Sequence, residues 1–526
     1  MTNSIPDIEE ADCILITGSN TTEAHPLIAS RVFKAKERGA KIIVIEPRYI
    51  QLADYANVYL RQRPGTDVAW INGMMNIILA QGWEDKEFIK NRTEGFDALR
   101  EKVKEYTPEK VEQITGIPKA DLQKAAELYA KSKKSAILYA MGITQHTTGT
   151  DNVLSLANLA MLTGNIGKAG AGVNPLRGQN NVQGACDMGG LPNVYTAYQS
   201  VTDEAARKKF EDAWGVKLSP KVGITLMEMI NGAAEGKIKG LFILGENPML
   251  SDPDSKHVKE ALEKLEFMAV QDIFLSETAR EADVVLAGAS WAEKDGTFTN
   301  TDRRVQLIRK AIEPVGDAKP DWQIICDIAK KMGAKGFDFS SPEEIFNEMA
   351  SLTPSYRGIT YERLAKGGLQ WPCPTAESAG TKVLHGEKFT RGLGLFCPID
   401  FREPAELPDE KYPLTLTTGR SIFHYHTGTM TRNCPSLEKE LSEGYLEINP
   451  ADAEKMGIAD NAVVKVASRR GQIEVKARLT DRVGKGVVFM PFHFAESAAN
   501  VLTSTALDPV AKIPELKVCA VKVEKV

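Results

Sequence analysis

Six times along the chain, a short and almost wholly apolar run stops abruptly at a glycine or a small polar cluster. Cys13–Thr17 ends at Gly18, Ser19 and Asn20, Lys41–Ile45 at Glu46, Pro47 and Arg48, and Ser135–Tyr139 at a loop holding Gly142, Gln145 and His146. Farther on, Gly240–Leu244 runs into Gly245, Glu246, Asn247 and Pro248, residues 267–270 into Gln271 and Asp272, and residues 282–287 into the loop 290–300. Unbroken apolar runs of this length fit strands buried on both faces, the habit of parallel sheets. A helical pattern over residues 27–38 between the first two runs makes a βαβ unit. Parallel sheets collect ligands at the carboxyl ends of their strands, where the polar clusters fall. The expected architecture is therefore two doubly wound α/β halves with nucleotide-type sites, for either a dinucleotide or two copies of one ligand. The first turn reads Gly-Ser-Asn-Thr-Thr-Glu and lacks the G-x-G-x-x-G fingerprint, which argues against a nicotinamide cofactor.

Residues 163–190 concentrate glycine, side-chain amides and one arginine, Arg177. The stretch reads as an irregular, ligand-lined loop; the alternative, a flexible linker, would carry more serine, proline and charge. A planar guanidinium among amide donors suits a carboxylate-sized anion. Asp67, in Arg63-Pro-Gly-Thr-Asp67, opens a helical pattern over residues 68–80. It serves either as a helix N-cap or as an acceptor for the N–H edge of a guanine. His146 is either a ligand or proton carrier or simply a solvated loop histidine.

With 526 residues the chain exceeds one core and should hold three or four domains. Its net charge of -5 and the lack of a basic stripe disfavour nucleic acid. The longest apolar runs fall short of the roughly 20 residues of a membrane span. The seven cysteines form no C-x-x-C pair, which disfavours zinc ribbons, iron-sulfur sites and disulfide scaffolds, and suits a reducing, cytoplasmic setting. No export signal is visible at the start.

Beyond residue 407 the pattern changes to short strands at near-regular spacing, at residues 414–418, 444–448, 462–468, 471–477 and 486–490. They predict a small β-barrel, with Ser468-Arg-Arg-Gly471 as a hairpin turn. Loops 419–432 and 491–500 hold three of the seven histidines. The H-x-H pair His424 and His426 could bind a metal, but a polar roof over an anionic cofactor accounts better for the arginine, threonine and asparagine around it.

The order of these motifs resembles the catalytic subunit of molybdenum- or tungsten-dependent formate dehydrogenases, in the dimethyl sulfoxide reductase family, over essentially the whole chain. The most specific part is Asn174-Pro-Leu-Arg-Gly-Gln-Asn-Asn-Val-Gln-Gly-Ala-Cys-Asp-Met-Gly189. The resemblance implies a first α/β domain over residues 1–178, a second over 179–385, and a six-stranded C-terminal barrel of double-psi type over 386–526. The cofactor it implies is molybdenum or tungsten bis(molybdopterin guanine dinucleotide). Gly18, Ser19, Asn20, Glu46, Arg48, Gly65, Asp67, Gly142, Gln145, Gly178 and Gln179 are the implied cofactor contacts of the first half. Gly245, Glu246, Asn247, Gln271 and Asp272 are those of the second, and Gly419, Arg420, His424, His426, Thr427, Asn500 and Lys517 those of the barrel. Glu46 and Asp67 would hold one guanosine, Gln271 and Asp272 the other. Arg177 would be the catalytic residue that holds formate beside the metal for a hydride-like transfer, giving carbon dioxide and two electrons.

Members of this family begin with a cysteine-rich iron-sulfur segment, then a cysteine or selenocysteine that ligates the metal, with a neighbouring histidine. None of these is in the sequence, so no metal ligand is assigned here. The metal ligand and a [4Fe-4S] cluster are expected on a preceding segment, separated by a selenocysteine codon or carried on a second chain. Such a chain should bind the dinucleotide incompletely and expose apolar surface. The implied partners are formate or carbon dioxide and an iron-sulfur electron-transfer subunit, in anaerobic metabolism. The alternatives are a catalytically silent structural or electron-transfer relative, or an oxidoreductase of nitrate or another oxyanion.

Overall fold

β1 (Cys13–Thr17) is buried along its whole length, and its neighbours in sequence point into different cores. Leu15 packs in one cluster with Ile43, Ile45 and Ile137; Ile14 and Ile16 pack in another with Ile42, Val44 and Leu138. That is why the run shows no polar alternation. β1 lies at the centre of a parallel sheet with β2 (Lys41–Ile45), β3 (Val58–Leu60), β4 (Ser135–Tyr139) and β5 (Gly172–Pro175), in the order β3-β2-β1-β4-β5. Helix α1 (Pro26–Glu37) covers one face. Helices α2 (Asp67–Gln81) and α3 (Gly149–Leu162) cover the other.

A computed structural model describes all 526 residues. It separates two compact units, Met1–Gly178 with Leu250–Ser255 and Val383–Val526, and Gln179–Met249 with Lys256–Lys382. The second unit carries the parallel sheet β6 (Gly240–Leu244), β7 (Phe267–Asp272) and β8 (Val284–Ala287) in that order. Met268 and Val270 face a core built with Ile230, Val258 and Leu262. On the opposite face, Phe242, Phe267 and Val284 are 47%, 50% and 40% exposed. A hairpin of β9 (Gly296–Thr299) and β10 (Arg304–Ile308) follows.

Back in the first unit, β11 (Leu414–Gly419), β12 (Tyr445–Ile448), β13 (Val463–Ala467), β14 (Gln472–Leu479), β15 (Val487–Pro491) and β16 (Cys519–Lys525) close a barrel in the order β11-β15-β12-β14-β13-β16. Two pairs in it are parallel, β11 with β15 and β12 with β14; the other pairs are antiparallel. The Ser468 N–H bonds Gly471 O at 2.9 Å, closing the expected hairpin. The sixth strand, β16, was absent from the spacing pattern because some thirty residues of loop precede it.

Part of the glycine-rich stretch is regular after all. β5 lies inside it, and a helical turn, Val182–Asp187, follows. Asn174 and the residues around it satisfy the sheet ladder through their backbone, so side-chain polarity hid the strand. Asp67 does not cap its helix through its side chain either: Thr66 is the N-cap residue and Asp67 the first helical one.

One buried ion pair fastens the barrel to the first sheet. Arg48, just after β2, gives two hydrogen bonds to Glu447 of β12, at 2.6 and 2.7 Å, and its guanidinium lies 3.9 Å from the Phe489 ring centroid. Both side chains are only 5% exposed. Removing one partner strands the other charge in a low dielectric. Glu447→Ala should therefore lower the unfolding free energy by about 3 kcal/mol or more in urea titrations, with the double substitution Arg48→Met, Glu447→Leu recovering most of it. Equal losses in the single and double variants would contradict this reading.

Candidate functional site

The polar ends of β1, β2 and β3 meet residues from the barrel within the first unit. Gly18 has a φ of +57°, and a Cβ on Gly18 or on Gly142 would stand 2.5 Å from the other loop's backbone. The Gly142 N–H donates to Gly18 O at 3.0 Å. Only a glycine pair lets the two loops cross so closely. Around the crossing, several buried polar atoms have no protein partner: Thr17 Oγ1, Asn20 Nδ2, Glu46 Oε2, Gln62 Oε1 and Ser421 Oγ. Buried polar groups are ordinarily hydrogen-bonded, so this set describes a surface built for a polar ligand.

Two carboxylates stand on one side. Burial, with Asp67 nearby, pushes Glu46 up to about 7. Burial also raises Asp67, although Trp70 Nε1 at 3.1 Å and Gln62 Nε2 at 3.4 Å donate to its Oδ1. His146 is not solvated as a free loop histidine would be. It is 2% exposed, its Nε2 is 2.9 Å from Gly142 O and 3.9 Å from Asp67 Oδ2, and its Nδ1 is 3.9 Å from Glu515 Oε1.

Cationic groups gather around Arg420. Its guanidinium lies against Gly178, where any Cβ would collide with it, and no carboxylate forms an ion pair with it. Lys517 is buried and gives its protons to Thr418 O at 2.9 Å and Oγ1 at 3.3 Å. Burial and the charge of Arg420 bring Lys517 down to about 7, against the opposing pull of Glu46. Burial and Arg420 also depress His25 and His426 to about 4. His493 falls to about 3 chiefly through burial. Its Nε2 accepts the Ser421 N–H at 2.8 Å and its Nδ1 bonds His426 O, which fixes the tautomer. Such a donor set fits a multiply charged anion such as a dinucleotide pyrophosphate.

Arg177 follows β5 at the carboxyl edge of the sheet. The Leu176 N–H bonds Tyr139 O at 2.7 Å, and Arg177 O accepts from His25 Nε2 at 2.9 Å. Tyr139, raised to about 12 by burial, is close enough for the Arg177 charge to oppose that rise.

Other expected contacts are engaged with protein. Arg48 is on Glu447, His424 bonds Thr431 Oγ1 and Leu441 O, and Thr427 bonds Thr429. Asn500 holds Leu250 O and Ser251 O. Ser19 Oγ bonds Thr21, Gln145 O accepts from Leu516, Gly65 turns at φ +81° against Pro404, and Gly419 packs on Phe489. No group of three or more His, Cys, Asp or Glu side chains is arranged to hold a metal ion. His25, Gln62, Ser421 and His493 were not singled out from sequence, although Ser421 and His493 lay in the two barrel loops already marked as chemically rich.

In the second unit, Gly245 (φ +62°), Glu246, Gln271 and Asp272 share the carboxyl ends of β6 and β7. Gln271 Nε2 donates to Asp321 Oδ1 at 2.7 Å, leaving its buried Oε1 without a partner. Asn247 is spent on Glu277 and Thr278. Burial and the charge of Asp272 raise Glu246, and burial raises Asp272. Gln179 begins this unit. No helix in either unit is long and apolar enough to cross a membrane.

Residues 1–331 match the family described as molybdopterin oxidoreductase, and residues 414–520 match the molydopterin dinucleotide binding domain. The chain is 58% identical to the F420-dependent formate dehydrogenase subunit alpha of Methanocaldococcus jannaschii, covering all of this chain and 78% of that protein. It is 44% identical to formate dehydrogenase H of Escherichia coli, again over the whole chain and 74% of the relative. Acetylene hydratase from Pelobacter acetylenicus has the same fold, with a TM-score of 0.79 at 20% identity over 99% of this chain and 81% of that one.

The half-buried His426 imidazole makes stability depend on pH in a fixed direction. His426 takes a proton far more readily unfolded than folded, so its contribution is full at neutral pH and is lost as pH falls from 6.5 towards 4. His426 has a φ of 49°, which asparagine tolerates. His426→Asn should cut the loss of unfolding free energy between pH 7 and pH 5 by roughly 2 kcal/mol, read from urea midpoints. An unchanged loss would show that this imidazole is not held neutral.

Proposed function

Because the chain belongs to the molybdopterin oxidoreductase family, we propose that it is the catalytic part of a formate dehydrogenase. It binds a molybdenum or tungsten pterin guanine dinucleotide centre and interconverts formate and carbon dioxide. The observation that carries this reading is Arg177, held through its backbone beside a cradle of buried polar atoms that lack protein partners.

Arg420 and Lys517 are suited to the pyrophosphate of one dinucleotide, which supplies the negative charge their burial lacks. Glu46 and Asp67 are suited to its guanine, whose N–H edge needs carboxylate acceptors. Gln271 and Asp272 take the same part towards a second dinucleotide. When bound, the metal centre supplies the two-electron acceptor for the formate C–H bond. The work left to the chain is aim. Formate yields carbon dioxide, one proton and two electrons, and the Arg177 guanidinium can grip both carboxylate oxygens with parallel donors. Carbon dioxide is neutral and linear, so the same guanidinium holds the product more weakly than the substrate.

The electrons leave through a [4Fe-4S] relay and an iron-sulfur partner subunit, and the names of two relatives, both F420-dependent formate dehydrogenase alpha subunits, suggest F420 as the acceptor. No disulfide joins the seven cysteines, which supports a reducing cytoplasmic setting.

Arg177→Lys keeps the charge and loses the two-pronged geometry. It should reduce kcat/KM for formate by about a hundredfold or more, while metal and guanine nucleotide content stay at the parent level. Formate turnover equal to the parent's would rule out this assignment.

A further inference from the structure

The main chain of Arg177 is held by an imidazole from a segment 152 residues away. β5 is an edge strand beside β4, and the Leu176 N–H bonds Tyr139 O just beyond it. Arg177 O is bonded by His25, which stands between the helical turn Thr21–Ala24 and α1 with Nε2 2.9 Å away. A carbonyl only accepts, so Nε2 carries the proton and Nδ1 keeps a bare lone pair. Nδ1 is buried and meets no donor from the protein. The charged group facing the ring is Arg420, and with burial it keeps the imidazole neutral well below pH 6.

We propose that His25 is a positioning residue for the formate reaction: locked in the Nε2–H tautomer, it pins the backbone of Arg177, and its Nδ1 accepts a hydrogen bond from the dinucleotide bound in the cradle. The kinetic part rests on the formate reading above; the tautomer does not. A mere packing role would ask only for the ring's shape. The proposed role asks for a donor at Nε2, which glutamine can offer and phenylalanine cannot.

The test has two arms. Nitrogen-15 spectra of the histidine-labelled chain, with His25 assigned by its loss in His25→Phe, should show the Nε2–H pattern, unchanged between about pH 5.5 and pH 8.5. An Nδ1–H pattern, or titration within that range, overturns the proposal whatever the enzyme does. In the loaded enzyme, His25→Phe should lower kcat/KM for formate by about tenfold, mainly through KM, at unchanged metal and nucleotide content. His25→Gln should come within about threefold of the parent, with the parent's pH profile. Full activity in the phenylalanine variant, or glutamine no better than phenylalanine, refutes it. If the parent itself fails to turn over formate, the formate reading fails and the nitrogen spectra alone decide this one.

Discussion

Positive charge buried without a counter-ion is the feature on which the rest of this molecule turns. Arg420 depresses Lys517 and the histidines nearest it, and the single opposing pull on Lys517 is Glu46, a carboxyl itself raised by burial. Folding does not relieve this crowding; a bound polyanion would. Ligand binding and stability are therefore linked, because whatever neutralises the cradle also removes the cost of having built it. The unpaired atoms Thr17 Oγ1, Asn20 Nδ2 and Ser421 Oγ carry the same message in neutral form.

The scaffold makes that crowding possible. Parallel strands buried on both faces have nowhere to place polar groups except at their ends, so β1, β2 and β3 deliver Asn20, Glu46 and Gln62 to one edge. The glycine crossing at Gly18 and Gly142 brings two loops to backbone contact without a side chain between them. The Arg48–Glu447 pair, with Arg482 joining Glu447 and Glu23, fixes the barrel that brings Arg420 and Lys517. Several residues expected to face a cofactor, such as His424 and Asn500, hold loops in place instead.

Most of the architecture was legible because apolar runs and their abrupt polar ends report burial directly. β1, β2, β4 and the five barrel strands up to β15 stood where the pattern placed them, within a residue or two. β5 was hidden because its ladder bonds come from backbone beneath Gly172, Asn174 and Pro175, whose side chains suggest a loop. The site was legible through its motifs but not through its long-range contacts. Nothing near His25 in the sequence points to Arg177, and His146 looked solvated until Asp67 and Glu515 closed around it. Burial of this kind is set by segments hundreds of residues apart, which periodicity cannot register.

The central proposal is that the chain binds two guanine dinucleotides for each metal atom. It is tested most directly by denaturing the purified native protein in acid and measuring released guanine nucleotide against molybdenum or tungsten in the same sample. The account requires two guanine nucleotides per metal atom. A different base, or a ratio of one or none in metal-loaded protein, would contradict it.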